Sequence, residues 1–297
     1  MKKPHFFKAK CRIGLTHPPA RQKEFNYGVE DGADAILTKE FLKQIPEAKV
    51  ESFFFSDPEK IVPGQYLTEM VKEMVWFKEQ INQQLGDSDI QIVVGGDNTV
   101  TFASVLALVE RVKDISKIGY IQFDSHGESN SYEGSESKNF HGMYMRPFFD
   151  VFDIENINQL VPNKFKSEQG VFIGDMVLDG DEPEHFKKKK LKTLEFKEYC
   201  KNKSEFNNYL NKFLEKYEFI HVNFDIDVFH RSVAGATGIP EDGKWMKSEV
   251  YEILKIIAQH PQVSFDLSEL NPTRNGADRS VKIAQQILLL MIHPAHS

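Results

Sequence analysis

The segment QFDSHGESN, residues 122–130, places two carboxylates and one imidazole at every second position. Asp124, His126 and Glu128 follow Ile118–Phe123, an apolar run that is typical of a buried strand. Residues two apart in an extended chain point to the same side, so we expect these three side chains to lie together. One interpretation is half of a metal site. The other is a polar loop with a hydrogen-bonded histidine.

A second segment, FIHVNFDIDVF at 219–229, repeats this alternation with acidic residues. Asn223, Asp225 and Asp227 share one side of the predicted strand, and their neighbours are apolar. Two aspartates this close repel each other unless a cation neutralises them or one of them takes a proton. A helix cap or an exposed face is hard to reconcile with such apolar flanks. The segment therefore favours a bound cation.

Two further strand ends carry polar residues, Asn98 in IVVGGDNTV (92–100) and Glu269 in VSFDLSELNP (263–272). Each is weak alone, because Gly-Gly-Asp usually marks a turn and a glutamate before a proline turn is unremarkable. A dinucleotide fingerprint would need a third glycine, which is missing. Together, carboxylates and an imidazole without thiolate favour Mn²⁺ over a structural Zn²⁺. Shared carboxylates suit two ions about 3.5–4 Å apart, which predicts a dinuclear metallohydrolase.

The elements that would position these residues are short apolar runs alternating with amphipathic helical patterns. This order predicts a parallel sheet in one domain over residues 1–297, with ligands at the carboxyl ends of the strands. The predicted helices lie near 31–44, 65–85, 99–113, 204–217, 247–259 and 278–292. The predicted strands are Arg12–Thr16, Lys49–Phe55, Ile90–Val94, Ile118–Phe123, Gly170–Ile173, Lys192–Phe196, Phe219–Phe229 and Val263–Leu267.

Composition excludes several other classes of protein. The net charge of −7 and the lack of a long basic tract argue against nucleic acid as a partner. No apolar run reaches the roughly 18 residues of a membrane span, and the basic N-terminus lacks the apolar core of a signal peptide. Cys11 and Cys200 alone make no disulfide framework. We therefore expect a soluble cytoplasmic protein, with the HFKKKKLK segment (185–192) solvated at the surface.

An ordered series of motifs resembles the ureohydrolase family, which includes arginase, agmatinase and formimidoylglutamase. The resemblance spans nearly the whole chain. It implies a three-layer α/β/α fold with a mostly parallel sheet of about eight strands, two Mn²⁺ ions and a homo-oligomer, trimer or hexamer. The motifs are YGVEDGADAI (27–36), GGDNT, DSHGE, NFHGM (139–143), FDID with ATGIP (236–240), and ELNP with DRS (278–280).

The resemblance also implies a role for individual residues. His141 matches the proton-shuttling histidine, and Glu269 matches the glutamate that pairs with the substrate's guanidinium. Four further residues match positions that bind the amino-acid end of the substrate, namely Asn130, Ser137, Asp179 and Glu182. One ion would be held by Asp124, His126, Asp225 and Asp227, and the other by Asp124, Asp225, Glu128 and Asn98.

Three positions depart from the family pattern. Asn98 replaces a histidine ligand, Glu128 replaces an aspartate, and Ile239 replaces a threonine that faces the guanidinium. The four carboxylates still balance two divalent ions, but an amide oxygen is a weaker ligand than an imidazole. We therefore expect the ion at Asn98 to be bound weakly and the other ion well.

The predicted activity is hydrolysis of a C–N bond in a guanidino or formimino substrate by metal-activated water. Glu128 would orient that water, Glu269 would hold the cationic substrate and His141 would protonate the leaving amine. An arginine-like compound fits the residues at the amino-acid end. Ile239 argues against unmodified arginine, and Asn98 favours a formimidoylglutamase-type activity. A catalytically inactive relative that keeps the fold as a binding or regulatory protein is the remaining alternative.

Overall fold

A parallel β-sheet of eight strands forms the centre of the molecule in a computed structural model that describes residues 3–15, 27–62 and 64–293. All neighbouring strands pair in parallel, in the order β2-β1-β3-β8-β7-β4-β5-β6. The strands are β1 (Lys3–Lys10), β2 (Lys49–Phe54), β3 (Asp89–Val94), β4 (Ile118–Phe123), β5 (Gly170–Ile173), β6 (Lys192–Leu194), β7 (Phe219–Asp225) and β8 (Val263–Ser268).

Helices cover both faces of this sheet because its central strands are apolar on both sides. Alternate residues of one strand enter different cores: Phe6 packs in one and Phe7 in the other. The helices are α1 (Gly32–Ile36), α2 (Lys39–Leu42), α3 (Tyr66–Gln84), α4 (Thr99–Val112), α5 (Arg146–Phe149), α6 (Glu155–Leu160), α7 (Glu182–Lys189), α8 (Phe196–Lys201), α9 (Lys203–Lys216), α10 (Arg231–Ala234), α11 (Lys247–Ile257) and α12 (Ala277–Ile292).

The two cores separate the helices into two layers. Helices α3–α7 contribute buried side chains to the core that contains Phe7. Helices α1, α2 and α8–α12 contribute to the core that contains Phe6. The result is a three-layer α/β/α fold with an all-parallel sheet, so the predicted fold class is confirmed. Of the helices in the described part of the chain, none is both long and apolar enough to cross a membrane.

The first strand is the main error of the sequence-based prediction. Arg12–Thr16 was expected to form it, but β1 ends at Lys10 and residues 12–15 form a turn, while Thr16 lies outside the described residues. Lys8 and Lys10 made the true strand look too polar for a buried position. In the fold, their ammonium groups pair with Asp34 of α1.

Other boundaries differ less. The predicted strand over 219–229 ends at Asp225, where a short 3₁₀ turn over Ile226–Val228 begins. The predicted helix near 31–44 is divided into α1 and α2. The lysine-rich segment over 185–192 forms the second half of α7, the turn that follows it and the first residue of β6. Lys187, Lys188 and Lys190 are exposed, as expected for a solvated run, whereas His185 and Phe186 are buried.

Two glycines let the backbone approach closely at the carboxyl edge of the sheet. A Cβ on Gly96 would lie 1.7 Å from the carbonyl oxygen of Cys11, and one on Gly174 would lie 1.8 Å from that of Asp124. Real Cβ atoms are not found so close to an oxygen, so glycine is required at both positions. These contacts pack the strand exits together, which brings the residues that follow them within reach of one another.

Candidate metal centre

The predicted site residues meet at the carboxyl edge of four adjacent central strands, β3, β8, β7 and β4. Here a cavity of about 290 Å³ opens to the surface. Asp124 lies beside it and is fully buried. All the other predicted site residues line the cavity, namely Asn98, His126, Glu128, Asn130, Ser137, His141, Asp179, Glu182, Asp225, Asp227 and Glu269.

Two groups of potential metal ligands share Asp124. In one group its carboxylate lies with Asp225 and Asp227, and in the other with His126 and Glu128. Within each group the ligand atoms lie within 4.8 Å of one another. Nδ1 of His126 also lies 3.0 Å from Oδ2 of Asp227 and 3.6 Å from Oδ1 of Asp124. The imidazole therefore reaches the group of three aspartates.

Backbone and side-chain donors fix the orientation of these carboxylates. Oδ1 of Asp124 accepts from the backbone N–H of His126 at 2.8 Å, and Oδ2 accepts from Nε2 of Gln122 at 3.1 Å. Oδ1 of Asp227 accepts from the backbone N–H of Ser125 at 3.0 Å. Since donors hold both aspartates, their remaining lone pairs can point towards one position, as a metal site requires.

Asp225 and Asp227 were expected to share one side of a strand, and the structure joins them in a different way. The strand ends at Asp225, and its Oδ1 accepts from the backbone N–H of Asp227 at 2.8 Å. The turn thus brings the two carboxyl groups together. Oδ2 of Asp225 accepts from Nδ2 of Asn98 at 2.6 Å.

The electrostatics of the group favour a cation. Burial, followed by repulsion from Asp227, raises the pKa of Asp124 and of Asp225 above the usual range of aspartate. Burial is the largest single influence on His126 and would lower its pKa, but the charge of Asp227 and hydrogen bonds to Asp124, Asp227 and Glu241 together outweigh it, so the net shift is upward. A divalent ion would neutralise this crowding. Its donor set, three carboxylates and one imidazole without thiolate, fits a hard or borderline cation.

Glu241 is a member of the site that the sequence did not reveal. Oε1 of Glu241 lies 3.7 Å from Nε2 of His126, on the opposite side of the ring from Asp227. Hydrogen bonding to His126 lowers the pKa of Glu241, so it stays ionised beside the ring. A carboxylate in this position orients a ligating imidazole and increases its basicity. Its only sequence signal was its place directly after the ATGIP motif.

His141 and Glu269 lie together at another wall of the cavity. Nδ1 of His141 is 3.9 Å from Oε1 of Glu269, and the same oxygen accepts from the backbone N–H of Asn98 at 2.8 Å. Asp97, a further buried acid that the sequence did not single out, accepts from the backbone N–H of Gly14 at 2.8 Å. Burial, then the charge of Glu269, raises its pKa to about 6. Asp97 thereby ties the loop after β1 to the site.

Three of the four residues predicted at the amino-acid end of a substrate, Asn130, Asp179 and Glu182, form a connected polar wall, whereas the hydroxyl of Ser137 accepts from the backbone N–H of Asn139. Nδ2 of Asn130 donates to Oδ1 of Asp179 at 2.6 Å, and its Oδ1 accepts from the backbone N–H of Asp181 at 3.1 Å. Buried Glu182 accepts from the backbone N–H of Ser129 at 2.7 Å, and burial raises its pKa to about 7. Asp179 is the exposed member. Asn130 and Glu182 therefore also support the loops around them.

Three further side chains that line the cavity differ in polarity. Thr237 is 2% exposed, and its Oγ1 has no hydrogen-bond partner among the residues that the structure describes. Ile239 is 38% exposed and Val177 is 51% exposed, and both line the cavity. The ATGIP motif therefore contributes one unpaired hydroxyl and one apolar group to the same cavity.

Ligands of parallel α/β proteins lie at this edge of the sheet, and a buried group of carboxylates with one imidazole is typical of a metal-binding member of that class. Comparison with known protein families identifies the family within this class. The family model described as "Arginase family" matches residues 15–293, so the chain belongs to the arginase family. The resemblance inferred from the motifs is confirmed.

Individual relatives are distant but extend over nearly the full length. The arginase of Entamoeba histolytica is 22% identical over 276 residues, which cover 86% of this chain and 88% of that protein. Its crystal structure with L-ornithine has a TM-score of 0.84 at 18% identity and covers 97% of both chains. The structure of formimidoylglutamase from Bacillus subtilis has a TM-score of 0.74 at 17% identity, covering 99% of this chain and 87% of that one. These structural likenesses establish the fold.

Proposed function

We propose that the chain is a metal-dependent hydrolase that cleaves a C–N bond of a linear amidine, with an arginine-like guanidino compound as its substrate. The observation that carries this proposal is the group of His126 and three aspartates beside a cavity of about 290 Å³. Burial and mutual repulsion hold these carboxylates in a state that a cation would relieve. Membership of the arginase family supports the same reaction class.

The metal that we propose is Mn²⁺, because carboxylates and an imidazole without thiolate suit it. When bound, a divalent ion in such a site supplies a water molecule that ionises near neutral pH. The ligands that fit this ion are Asp124, His126, Asp225 and Asp227. Glu241 would hold the imidazole of His126 in its ligating orientation.

The remaining cavity residues would act on the substrate. Glu269 would pair with the amidinium, and Glu128 would orient the attacking water through a hydrogen bond. His141 would donate a proton to the leaving nitrogen, since its ring lies in the cavity 3.9 Å from Glu269. Proton transfer to the amine converts a poor leaving group into a good one. Asp179, which is exposed at the same cavity, would attract the amino group of the substrate.

A formimino substrate is the second candidate, and Ile239 is the observation that favours it. Its side chain lines the cavity and offers no hydrogen bond to the third nitrogen of a guanidinium. A formimino carbon carries hydrogen in place of that nitrogen, so an apolar neighbour costs it less. The formimidoylglutamase of known structure shares the fold of this chain.

The test is a panel of guanidino and formimino compounds, assayed for release of urea or formamide after loading of the chain with Mn²⁺. Release of urea from an arginine-like compound supports the first candidate, and release of formamide supports the second. No turnover and no bound metal would contradict the proposal and favour a binding or regulatory protein. A homo-oligomer, trimer or hexamer, and a cytoplasmic location stay predictions; light scattering tests the first.

A further inference from the structure

The side-chain amide of Asn98 is fixed between two residues from different strands. Its Nδ2 donates to Oδ2 of Asp225 at the end of β7, and its Oδ1 accepts from the hydroxyl of Ser268 at the end of β8. The NH₂ group, the donor side of the amide, faces Asp225, and the oxygen, its acceptor side, faces Ser268. All three residues are buried. The amide oxygen of Asn98 is thus directed at Ser268, and the carboxylate receives an N–H.

Each carboxylate oxygen of Asp225 therefore accepts one hydrogen bond from the protein. Its Oδ1 accepts from the backbone N–H of Asp227 at 2.8 Å, and its Oδ2 accepts from Asn98 at 2.6 Å. A carboxylate that joins two cations needs one oxygen for each of them. Here the amide of Asn98 already contacts the oxygen on its side, and it brings a partial positive charge to that oxygen. The N–H of Asn98 thus occupies the side of Asp225 that a second ion would need.

The position of Glu128 also bears on whether a second ion could bind. Within the described residues, its carboxylate groups with Asp124 and His126, and no group of potential ligands joins it to Asp225. A second ion held by Asn98, Glu128, Asp124 and Asp225 would need these carboxylates to converge. The backbone of Glu128 has a φ of +52°, a left-handed conformation that sets the direction of the side chain. Of the residues that would hold a second ion, Asn98 directs its oxygen to Ser268, and Glu128 lies with Asp124 and His126.

We propose that this chain binds one divalent ion, at Asp124, His126, Asp225 and Asp227, and that the amide of Asn98 occupies the side of Asp225 where a second ion would bind. This inference rests on the proposed function, since it concerns the same metal centre. One ion is sufficient to activate a water molecule. The amidinium of the proposed substrate adds a positive charge between Glu128 and Glu269, which both line the cavity.

The first experiment measures metal per chain by elemental analysis, after saturation with Mn²⁺ and removal of free metal. One ion per chain is expected. Two ions per chain would overturn this inference and leave the proposed function standing. No bound metal would overturn both. Electron paramagnetic resonance gives a second readout: isolated Mn²⁺ is expected, whereas a spectrum of exchange-coupled ions would contradict the inference.

Substitutions at Asn98 then test whether its amide limits the chain to one ion. Asn98→His supplies an imidazole that cannot copy the amide bridge, and it should raise the content to two ions per chain. The matched control is Asn98→Ala, which should stay at one ion, because Asn98 is not a ligand in this proposal. If the alanine variant lost an ion relative to the parent chain, or if the histidine variant stayed at one, the assignment of Asn98 would be wrong.

A substitution of Ser268, which holds the oxygen of the Asn98 amide, provides a second test if an Asn98 variant fails to fold. Ser268→Ala leaves Asn98 in place but removes the hydroxyl that holds its oxygen. The amide is then free to turn its oxygen towards Asp225, so a second, weaker Mn²⁺ should bind at high metal concentration. Thermal unfolding without metal identifies which variants are folded. If all folded variants bound the same number of ions as the parent chain, the proposal would be refuted.

Discussion

Nδ1 of His126 lies 3.0 Å from Oδ2 of Asp227, although these residues follow different strands. The contact joins the exit of β4 to the exit of β7, which are neighbours in the sheet. Because Ser125 also donates to Asp227, from its backbone N–H at 3.0 Å, the two exits are held at two points. The proposed metal centre is thus built on a rigid contact between two central strands.

Replacing Asp227 by alanine should abolish metal binding and activity. The variant loses a ligand and also the negative charge that faces the imidazole. Metal per chain and product release should both fall to background. Asp242→Ala is the matched control, because Asp242 is exposed close by in the chain and pairs with Arg231 at the surface. Retained turnover in the Asp227 variant would refute its assignment as a ligand.

Replacing Glu241 by glutamine should weaken metal binding without abolishing it. The carboxylate lies 3.7 Å from Nε2 of His126, on the far side from the proposed ion. Loss of such a partner typically lowers metal affinity by about ten- to a hundredfold. Competition of Mn²⁺ with a chelator measures the change. Glu136→Gln, at an acid that lines the cavity without contacting His126, should leave the affinity unchanged. Equal affinities in the two variants would contradict the role of Glu241.

Much of the fold could be predicted from sequence because its central strands are short apolar runs. Ile118–Phe123 and Gly170–Ile173 were predicted with the observed ends. The failure at β1 has a physical cause: Lys8 lies in the strand, and only the tertiary fold supplies the acidic helix residue that pairs with it. Local hydrophobicity cannot reveal a charge that is satisfied by a residue from another element.

The candidate site could likewise be predicted only in the part that depends on local sequence patterns. Asp124, Asp225 and Glu269 could be grouped in advance because each lies at the carboxyl end of a strand or directly after it, and parallel strands end at one edge. Glu241 and Thr237 could not, since they lie in a loop whose path depends on tertiary contacts. The orientation of the Asn98 amide depends on Ser268, a residue far away in the chain. Sequence types alone suggested a weak ligand there, and only the hydrogen bonds show where its oxygen points.

Ile239 and Thr237 should control which amidines are accepted. Ile239→Thr adds a hydroxyl to the cavity wall, so kcat/KM for an unmodified guanidino compound should rise by about tenfold, the value of one hydrogen bond. The ratio of urea release to formamide release measures this selectivity. Ile239→Val is the control, because it changes size without adding a polar group. An unchanged ratio in the threonine variant would show that Ile239 does not contact the reacting group.

Thr237→Val tests the unpaired hydroxyl in the same motif. If Oγ1 of Thr237 binds substrate, the variant should lose about three- to tenfold in kcat/KM. Its melting temperature should not fall, because valine has the same shape and removes a buried polar atom that lacks a partner in the described part of the chain. This combination separates a substrate contact from a structural role. A lower melting temperature with full activity would contradict the prediction.

His185 should make the stability depend on pH in a defined direction. The ring is 2% exposed, and its Nδ1 lies 3.2 Å from Oγ of Ser129. Burial, then the charge of Arg146, lowers its pKa to about 4 from 6.5. Between these two pH values the unfolded chain binds a proton that the folded chain does not. The free energy of unfolding should therefore fall as the pH decreases from 6.5 to about 4, by about 2 kcal/mol from this residue.

The variant His185→Asn isolates this contribution. Asparagine keeps a polar group near Ser129 but does not titrate, so its free energy of unfolding should fall less over the same pH range. Urea unfolding of both proteins, with a chelator present to exclude metal linkage, gives the two pH dependences. The buried carboxylates of the metal centre titrate in both proteins, and their effect cancels in the difference. If the free energies of unfolding of the two proteins changed in parallel with pH, His185 would have the same pKa in the folded and unfolded chains. This result would contradict the lowered pKa that burial causes.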